Sequence, residues 1–288
     1  MKIFLRVIFV IFIVMLLDIL RYFVYPSVDS LKTNNPIPTA FMEYRTAEWA
    51  NENRDIKINQ KWVSIKNISP NLIKAVLIAE DDGFYKHDGF DIKGMENAIE
   101  RSIKKGVLAG GSTISQQLSK NLYLSPSKNP IRKVKEAIIT YRIEKSLSKR
   151  RILEIYLNIA EWGDGIFGIE AASRHYYGKS AKNLNAKEAA RLATILPNPI
   201  KYNPLGNQKY VINRSAIIYK VMMRRGIVIS AFKEVMALPK IDEIVKDENQ
   251  SAQAVDETNI QNDEQKIDKD IAQDEPKADV EIPAASEQ

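Results

Sequence analysis

The stretch "NLIKAVLIAEDDGFYKHDGFD", residues 71–91, carries a largely apolar segment straight into a run of carboxylates. Its spacing predicts a helix over 70–81 with Glu80 in the last turn. A carboxyl at the end of an apolar helix is partly desolvated. Desolvation raises its pKa and suits it to accept a proton near neutral pH. Asp81 and Asp82 are expected on the wetter side. The same residues also read as an ordinary polar helix end, and from composition alone both readings stand. A calcium loop is excluded, because the D-x-D-x-D-G spacing is absent.

Two further clusters follow. In "GGSTISQQLSKNLYL", residues 110–124, paired glycines allow close backbone approach, and Ser112 and Thr113 open a helix. Free N–H groups at a helix start favour an anion, and Lys120 adds a charge two turns on. Thr113 and Gln116 have capping-box spacing, which is also a common structural signal. It is not a phosphate-binding P-loop, since no GK[ST] follows. In "NPIRKVKEAIITYRIEKSLSKRRILEIYLN", residues 129–158, Arg132, Lys133 and Glu136 share one helical face. A carboxylate beside two cations is expected to stay ionised. Glu80 and Glu136 then have opposite tuning, which is how a site divides roles between two acids. The alternative is a surface ion pair of little energetic weight.

The rest of the chain sets these clusters in context. From Ile3 to Val24 only Arg6, Asp18 and Arg21 are charged. As a helix this segment is about 33 Å long, enough for a bilayer core of about 30 Å. Tyr22, Phe23 and Tyr25 would form an aromatic belt, and no small-x-small cleavage site follows. Residues 1–25 are therefore expected to be a retained transmembrane anchor rather than a cleaved signal. Lys2 and Arg6 favour an inside N-terminus, with the remainder outside the cytoplasm. Residues 26–69 read as a connector leading into the domain, and 70–240 as the catalytic body. Helices are expected at 70–81, 92–105, 113–123, 130–147, 149–159, 165–177, 186–196 and 208–225.

Residues 241–288 hold 15 acidic and 4 basic residues and no aromatic, a composition expected to form a disordered acidic tail. Residues 1–240 carry the remaining 21 acidic and 38 basic residues. So basic a body suits an anionic partner, although a solubility charge explains it equally. The chain has no cysteine and two histidines, which excludes a disulfide framework and a structural zinc site.

Taken together, the three clusters resemble the motifs of the family 51 glycosyltransferases, the peptidoglycan glycosyltransferases. E-D-x-x-F-x-x-H-x-G is met by Glu80, Asp81, Phe84, His87 and Gly89. G-G-S-T-I-T-Q-Q appears as "GGSTISQQ", with Ser115 for a threonine. R-K-x-x-E is met by Arg132, Lys133 and Glu136, and is followed by "ILEIYLN" at 152–158. "EWGDGIFGIEAASRHYYGKSAKNL" at 161–184 and "LPNP" at 196–199 are also similar to the family. The resemblance spans about residues 45–225, and no S-x-x-K, S-x-N and K-T-G set of a transpeptidase is present.

The resemblance implies a mainly α, lysozyme-like helical domain behind a transmembrane helix in the bacterial inner membrane, on the periplasmic side. It implies lipid II and the growing glycan strand as substrates, membrane lipid as a partner, other cell-wall synthesis or division proteins as further partners, and no nucleic acid. Glu80 is then the general base, and Glu136 assists the diphosphate leaving group, with a divalent metal (Mg or Mn) at Glu136 as a further expectation and no organic cofactor. Asp81, Phe84, His87, Ser112, Thr113, Gln116, Gln117, Lys120, Arg132 and Lys133 are the implied substrate-binding residues. Two other readings stand against this one. A lytic enzyme of lysozyme-like fold needs one catalytic acid and no diphosphate site. A membrane-anchored scaffold would keep the motifs without activity. The long acidic tail departs from the family pattern.

Overall fold

The computed structural model describes residues 2–105, 110–126 and 129–228. The acidic tail expected at 241–288 lies outside the described residues, as does the end of the body, 229–240.

Helix α1, Lys2–Leu20, has no buried residue. With the 3-10 turn Arg21–Phe23 it makes a 22-residue segment long and apolar enough to cross a membrane. Polar contacts hold its lower end to the body. Arg142 donates to the carbonyls of Tyr22 at 2.9 Å and Val24 at 2.8 Å. Asp18 pairs with Arg21 at 2.9 Å and with Lys135. Two of the charges that interrupt the apolar run thus meet partners, as ionisable groups in a spanning segment must.

Residues 26–69, expected to be a connector, contain helix α2, Ala40–Asn51. The Thr39 hydroxyl caps it by accepting the Met42 N–H at 3.2 Å. Met42 and Trp49 are its buried residues, and Trp49 Nε1 donates to Asp164 at 3.1 Å. With only two of its twelve residues buried, this helix writes a weak apolar period into the sequence.

The remaining helices lie close to their expected places. They are α3 (Pro70–Glu80), α4 (Ile92–Lys105), α5 (Ile114–Tyr123), α6 (Pro130–Ser146), α7 (Lys149–Ile159), α8 (Ile169–Tyr177), α9 (Ala186–Ile195) and α10 (Lys209–Arg224). Thr113 and Gln116 form the expected capping box on α5, and Asn185 and Glu188 form another on α9. Helix α3 packs against α9 and α10 through Leu72, Ala75 and Val76, all fully buried, while α5 packs against α2, α6 and α7. Glu80 therefore emerges where these two helical groups meet.

One expected helix start is corrected. The helix predicted over 165–177 begins only at Ile169, because residues 161–167 form a small sheet. In it β3 (Ile166–Phe167) pairs in parallel with β1 (Asn59–Gln60) and antiparallel with β2 (Glu161–Gly163). Gly168 sits at φ +79°, and a Cβ there would come within 2.5 Å of the Asn158 carbonyl oxygen. That conformation and close approach require glycine and delay the helix.

The "ILEIYLN" segment is structural in part. Asn158 is fully buried and donates to the Val63 and Glu154 carbonyls at 2.8 Å, while its Oδ1 accepts from Val63 N–H at 2.8 Å. Glu154 accepts the Ile65 N–H at 2.9 Å. These bonds satisfy the irregular backbone of residues 63–65 from the side of α7.

Candidate active site

Helix α3 carries Glu80 into a cleft of about 510 Å³ lined also by Asp82, Asp91, Ser112, Thr113 and Arg214. Glu80 keeps limited access to solvent yet is closely surrounded by protein. Its Oε2 accepts a hydrogen bond from Gln117 Nε2 at 2.8 Å. Tyr156 fixes that amide in turn, its hydroxyl donating to Gln117 Oε1 at 3.0 Å. Burial pushes the Glu80 carboxyl above the ordinary range. The Gln117 bond, Arg214 and Lys120 oppose the shift, and neighbouring Asp81 adds to it. Burial also pushes the Tyr156 hydroxyl well up, so it serves as a donor.

Asp81 does not lie on the wetter side as expected. It is buried, and both its oxygens are used. Oδ1 meets His87 Nε2 at 2.9 Å, and Oδ2 accepts the Ile114 N–H at 3.0 Å. Because Gly89 N–H donates to His87 Nδ1 at 3.1 Å, the imidazole proton sits on Nε2 and His87 is the donor to Asp81. Asp81 thus joins the end of α3 to the first turn of α5, where a carboxylate is favoured. Thr113 completes the joint by donating from Oγ1 to the Gly89 carbonyl at 2.7 Å. Gly89 itself has φ +90°, and a Cβ there would press to 2.9 Å on Thr140 and Glu144 side chains. Ser115, the substituted motif position, donates to Glu144, which Lys149 also holds at 2.7 Å. Phe84 is fully buried with Lys149 Nζ 4.5 Å from its ring centroid. Asp82, unlike Asp81, is exposed and paired with Arg225 at 2.5 and 2.8 Å, and that guanidinium holds its carboxyl below the usual range.

Glu136 occupies the other half of the site on α6. Only 3 % of its side chain is exposed, yet both oxygens meet cations. Arg132 donates to Oε2 at 2.6 Å, and Lys133 donates to Oε1. Lys133 also reaches Ser112 Oγ at 3.5 Å, which connects Glu136 to the glycine loop. Helices α5 and α6 are tied by Ser119 and Thr140 at 2.8 Å, with Thr140 bonding back to the Glu136 carbonyl at 2.7 Å. Lys120 lies in the field of both Glu136 and Glu80, and burial pushes its ammonium below its ordinary value. The two acids therefore flank α5, with Lys120 between their fields.

Among the described residues no group of three or more His, Cys, Asp or Glu could hold a metal ion. With both Glu136 oxygens engaged by cations, the donor set does not fit a protein-held Mg or Mn.

Of the residues singled out in the sequence, Glu80, Ser112 and Thr113 line the cleft, with Gln117, Lys120, Arg132, Lys133 and Glu136 grouped around it. Asp81, Phe84, His87 and Gln116 brace its wall, Gln116 through its Oε1 accepting the Thr113 N–H at 2.9 Å. Two participants went unnoticed. Tyr156 stands within the noted "ILEIYLN" without being singled out there. Arg214 of α10 lines the cleft and donates to the Ala79 carbonyl at 3.2 Å, across 135 positions of chain. Nothing local in the sequence signals that contact.

Comparison with known proteins gives one consistent answer. The family model described as "Transglycosylase" matches residues 48–223. A biosynthetic peptidoglycan transglycosylase of Laribacter hongkongensis (strain HLHK9) is 47% identical over 192 residues, covering 66% of this chain and 84% of that protein. Its namesake in Aromatoleum aromaticum is 55% identical over 169 residues, 58% of this chain and 74% of that protein. The one in Nitrosospira multiformis is 42% identical over 208 residues, 72% of this chain and 90% of that protein.

Proposed function

The chain belongs to the transglycosylase family, and on that premise we propose that it is a membrane-anchored peptidoglycan glycosyltransferase that polymerises lipid II. Glu80 takes the proton of the acceptor sugar's 4-hydroxyl. The oxygen attacks the anomeric carbon of the growing strand with inversion. The bond to undecaprenyl diphosphate breaks, and the diphosphate leaves with the bonding electrons. One observation carries this reading: a carboxyl pushed up by burial, held by a single amide at 2.8 Å, on the wall of a large cleft. Such a group is a competent base near neutral pH.

A departing diphosphate needs positive charge where its negative charge develops. Lys120, Lys133 and Arg132 supply it, and Glu136 holds the latter two in place. The apolar α1 segment fits a single-pass anchor, with the body on the outer face of the inner membrane where the lipid-linked substrate lies. The test is incubation of the purified chain with lipid II. New glycan polymer with released lipid diphosphate supports the reading. Fragments cut from finished cell wall would instead favour a lytic enzyme, and no reaction with either would favour a scaffold.

A further inference from the structure

Two glutamines stand side by side on α5, and their amides do different work. Gln116 is buried and committed to the capping box, where its Oε1 accepts the Thr113 N–H at 2.9 Å. Gln117 is half-buried and links two other helices. Its Nε2 donates to Glu80 of α3 at 2.8 Å, and its Oε1 accepts from the Tyr156 hydroxyl of α7 at 3.0 Å.

A primary amide is nearly symmetric in shape but not in hydrogen bonding. With its NH2 group toward Glu80, Gln117 supports the carboxylate, which can only accept. Turned over, it would present its carbonyl, and only a protonated Glu80 could bond it. The way Gln117 faces therefore selects the form of Glu80 that the site supports. Glu80 does not fix that choice by itself, because each orientation satisfies one of its two forms.

Tyr156 does fix it. Its side chain belongs to a residue only 1 % exposed, and Gln117 Oε1 is the one acceptor its hydroxyl meets among the described residues. The hydroxyl keeps its proton, since burial, with Glu80 and Asp81 nearby, pushes it well up. A turned amide would leave that O–H buried without an acceptor, at the full desolvation penalty of the group. A phenylalanine would fill the same space, so core packing alone does not call for the oxygen.

The other charges in reach act on Glu80 without touching it. Arg214 of α10 and Lys120 of α5 favour the carboxylate, and Asp81 opposes it. Tyr210 of α10 lies in the same field, and Asp82 and Asp91 line the same cleft. Among the described residues Gln117 is the one side chain that hydrogen-bonds the Glu80 carboxyl.

We propose that Tyr156 is a positioning residue for the transfer: its hydroxyl locks the Gln117 amide with the N–H toward Glu80, so that the base waits in its charged, proton-accepting form. This rests on the glycosyltransferase reading and extends it from Glu80 to a Gln117–Tyr156 pair on α5 and α7.

Wild type, Tyr156→Phe, Gln117→Leu and the double variant test it in the full-length chain. The acid limb of kcat/KM on lipid II is measured for each. The Glu80 carboxyl is also titrated by NMR of isotope-labelled glutamate, its signal assigned by its loss in Glu80→Gln. Tyr156→Phe removes one oxygen and frees the amide to turn. Its acid limb and its Glu80 titration are expected to move to higher pH by up to about one unit, a roughly tenfold gain in proton affinity. At the high-pH plateau kcat/KM should stay within about twofold of wild type, because Glu80 is ionised there in both. In the Gln117→Leu background the same substitution should move neither readout further, since the amide it acts through is gone. A loss equal at every pH, with limb and titration unmoved, would overturn the proposal. So would shifts that add in the double variant. A chain whose Glu80 titration responds as expected but that never polymerises lipid II defeats the glycosyltransferase reading alone.

Discussion

Glu80 and Glu136 are the same residue type on helices α3 and α6, to either side of α5, and their surroundings differ in the opposite sense from their depth. Glu136 is the more enclosed, yet two cations contact its oxygens. Glu80 faces a cleft, yet its direct partner is a neutral amide. The comparison teaches that the charge brought to a carboxylate, rather than depth alone, decides what work it can do. Desolvation without a contacting cation leaves Glu80 able to take a proton. The cation-bound Glu136 is suited to organising positive charge for a leaving anion.

The largest effect that would break this contrast is on chemistry. Glu80→Gln is expected to lower the polymerisation rate by at least about a hundred-fold, the usual weight of a general base. A variant that polymerises lipid II at near wild-type rate removes Glu80 from the reaction. Next comes Glu136→Gln, which removes the carboxylate that Arg132 and Lys133 both contact. With Lys133 half exposed and the buried charge itself removed, the loss is that of charge-assisted hydrogen bonds, about 1.5–3 kcal/mol, so a fall in Tm should accompany lost activity. A normal melting curve would show that the cations find other partners.

The contrast is sharpened by pH. The raised pKa of Glu80 places the acid limb of kcat/KM above the ordinary carboxylate range, with activity rising as pH rises. Gln117 favours the charged form, so Gln117→Leu should move that limb to still higher pH. Stability carries the opposite sign. A carboxyl whose folded pKa is raised stabilises the fold while protonated, and that contribution is lost as pH rises through the folded value. Glu80→Gln is therefore expected to melt higher than wild type at neutral pH, with no advantage at about pH 4 or below. Equal Tm at both pH values would contradict the desolvated state of Glu80.

The smallest effect calibrates the others. Asp82 and Arg225 form an acid–cation pair with both side chains about half exposed. Arg225→Ala is expected to change stability by less than about 1 kcal/mol in chemical denaturation. A larger loss would show that exposure does not separate this pair from that of Glu136.

Much of the site was legible in the sequence because its parts are local. Glu80 at the end of an apolar run, the Thr113–Gln116 capping box and the Arg132–Lys133–Glu136 face each depend on residues within one or two helical turns. The misreadings share a different cause. Asp81 looked solvated from its neighbours, but its partners are His87 and the backbone of Ile114, reached only when α5 packs on the end of α3. Helix α2 buries too few residues to announce itself, and the sheet at 161–167 depends on β1 a hundred positions earlier.

By itself, then, the sequence determined the helical body, the apolar N-terminal segment and the local setting of Glu80 and Glu136, since periodicity, capping and i to i+4 spacing are properties of contiguous chain. Only the tertiary structure decided how those acids differ. The Gln117 amide, the Tyr156 hydroxyl and Arg214 come from distant segments. Desolvation and electrostatic fields act through space, so they exist only once packing has brought those segments together.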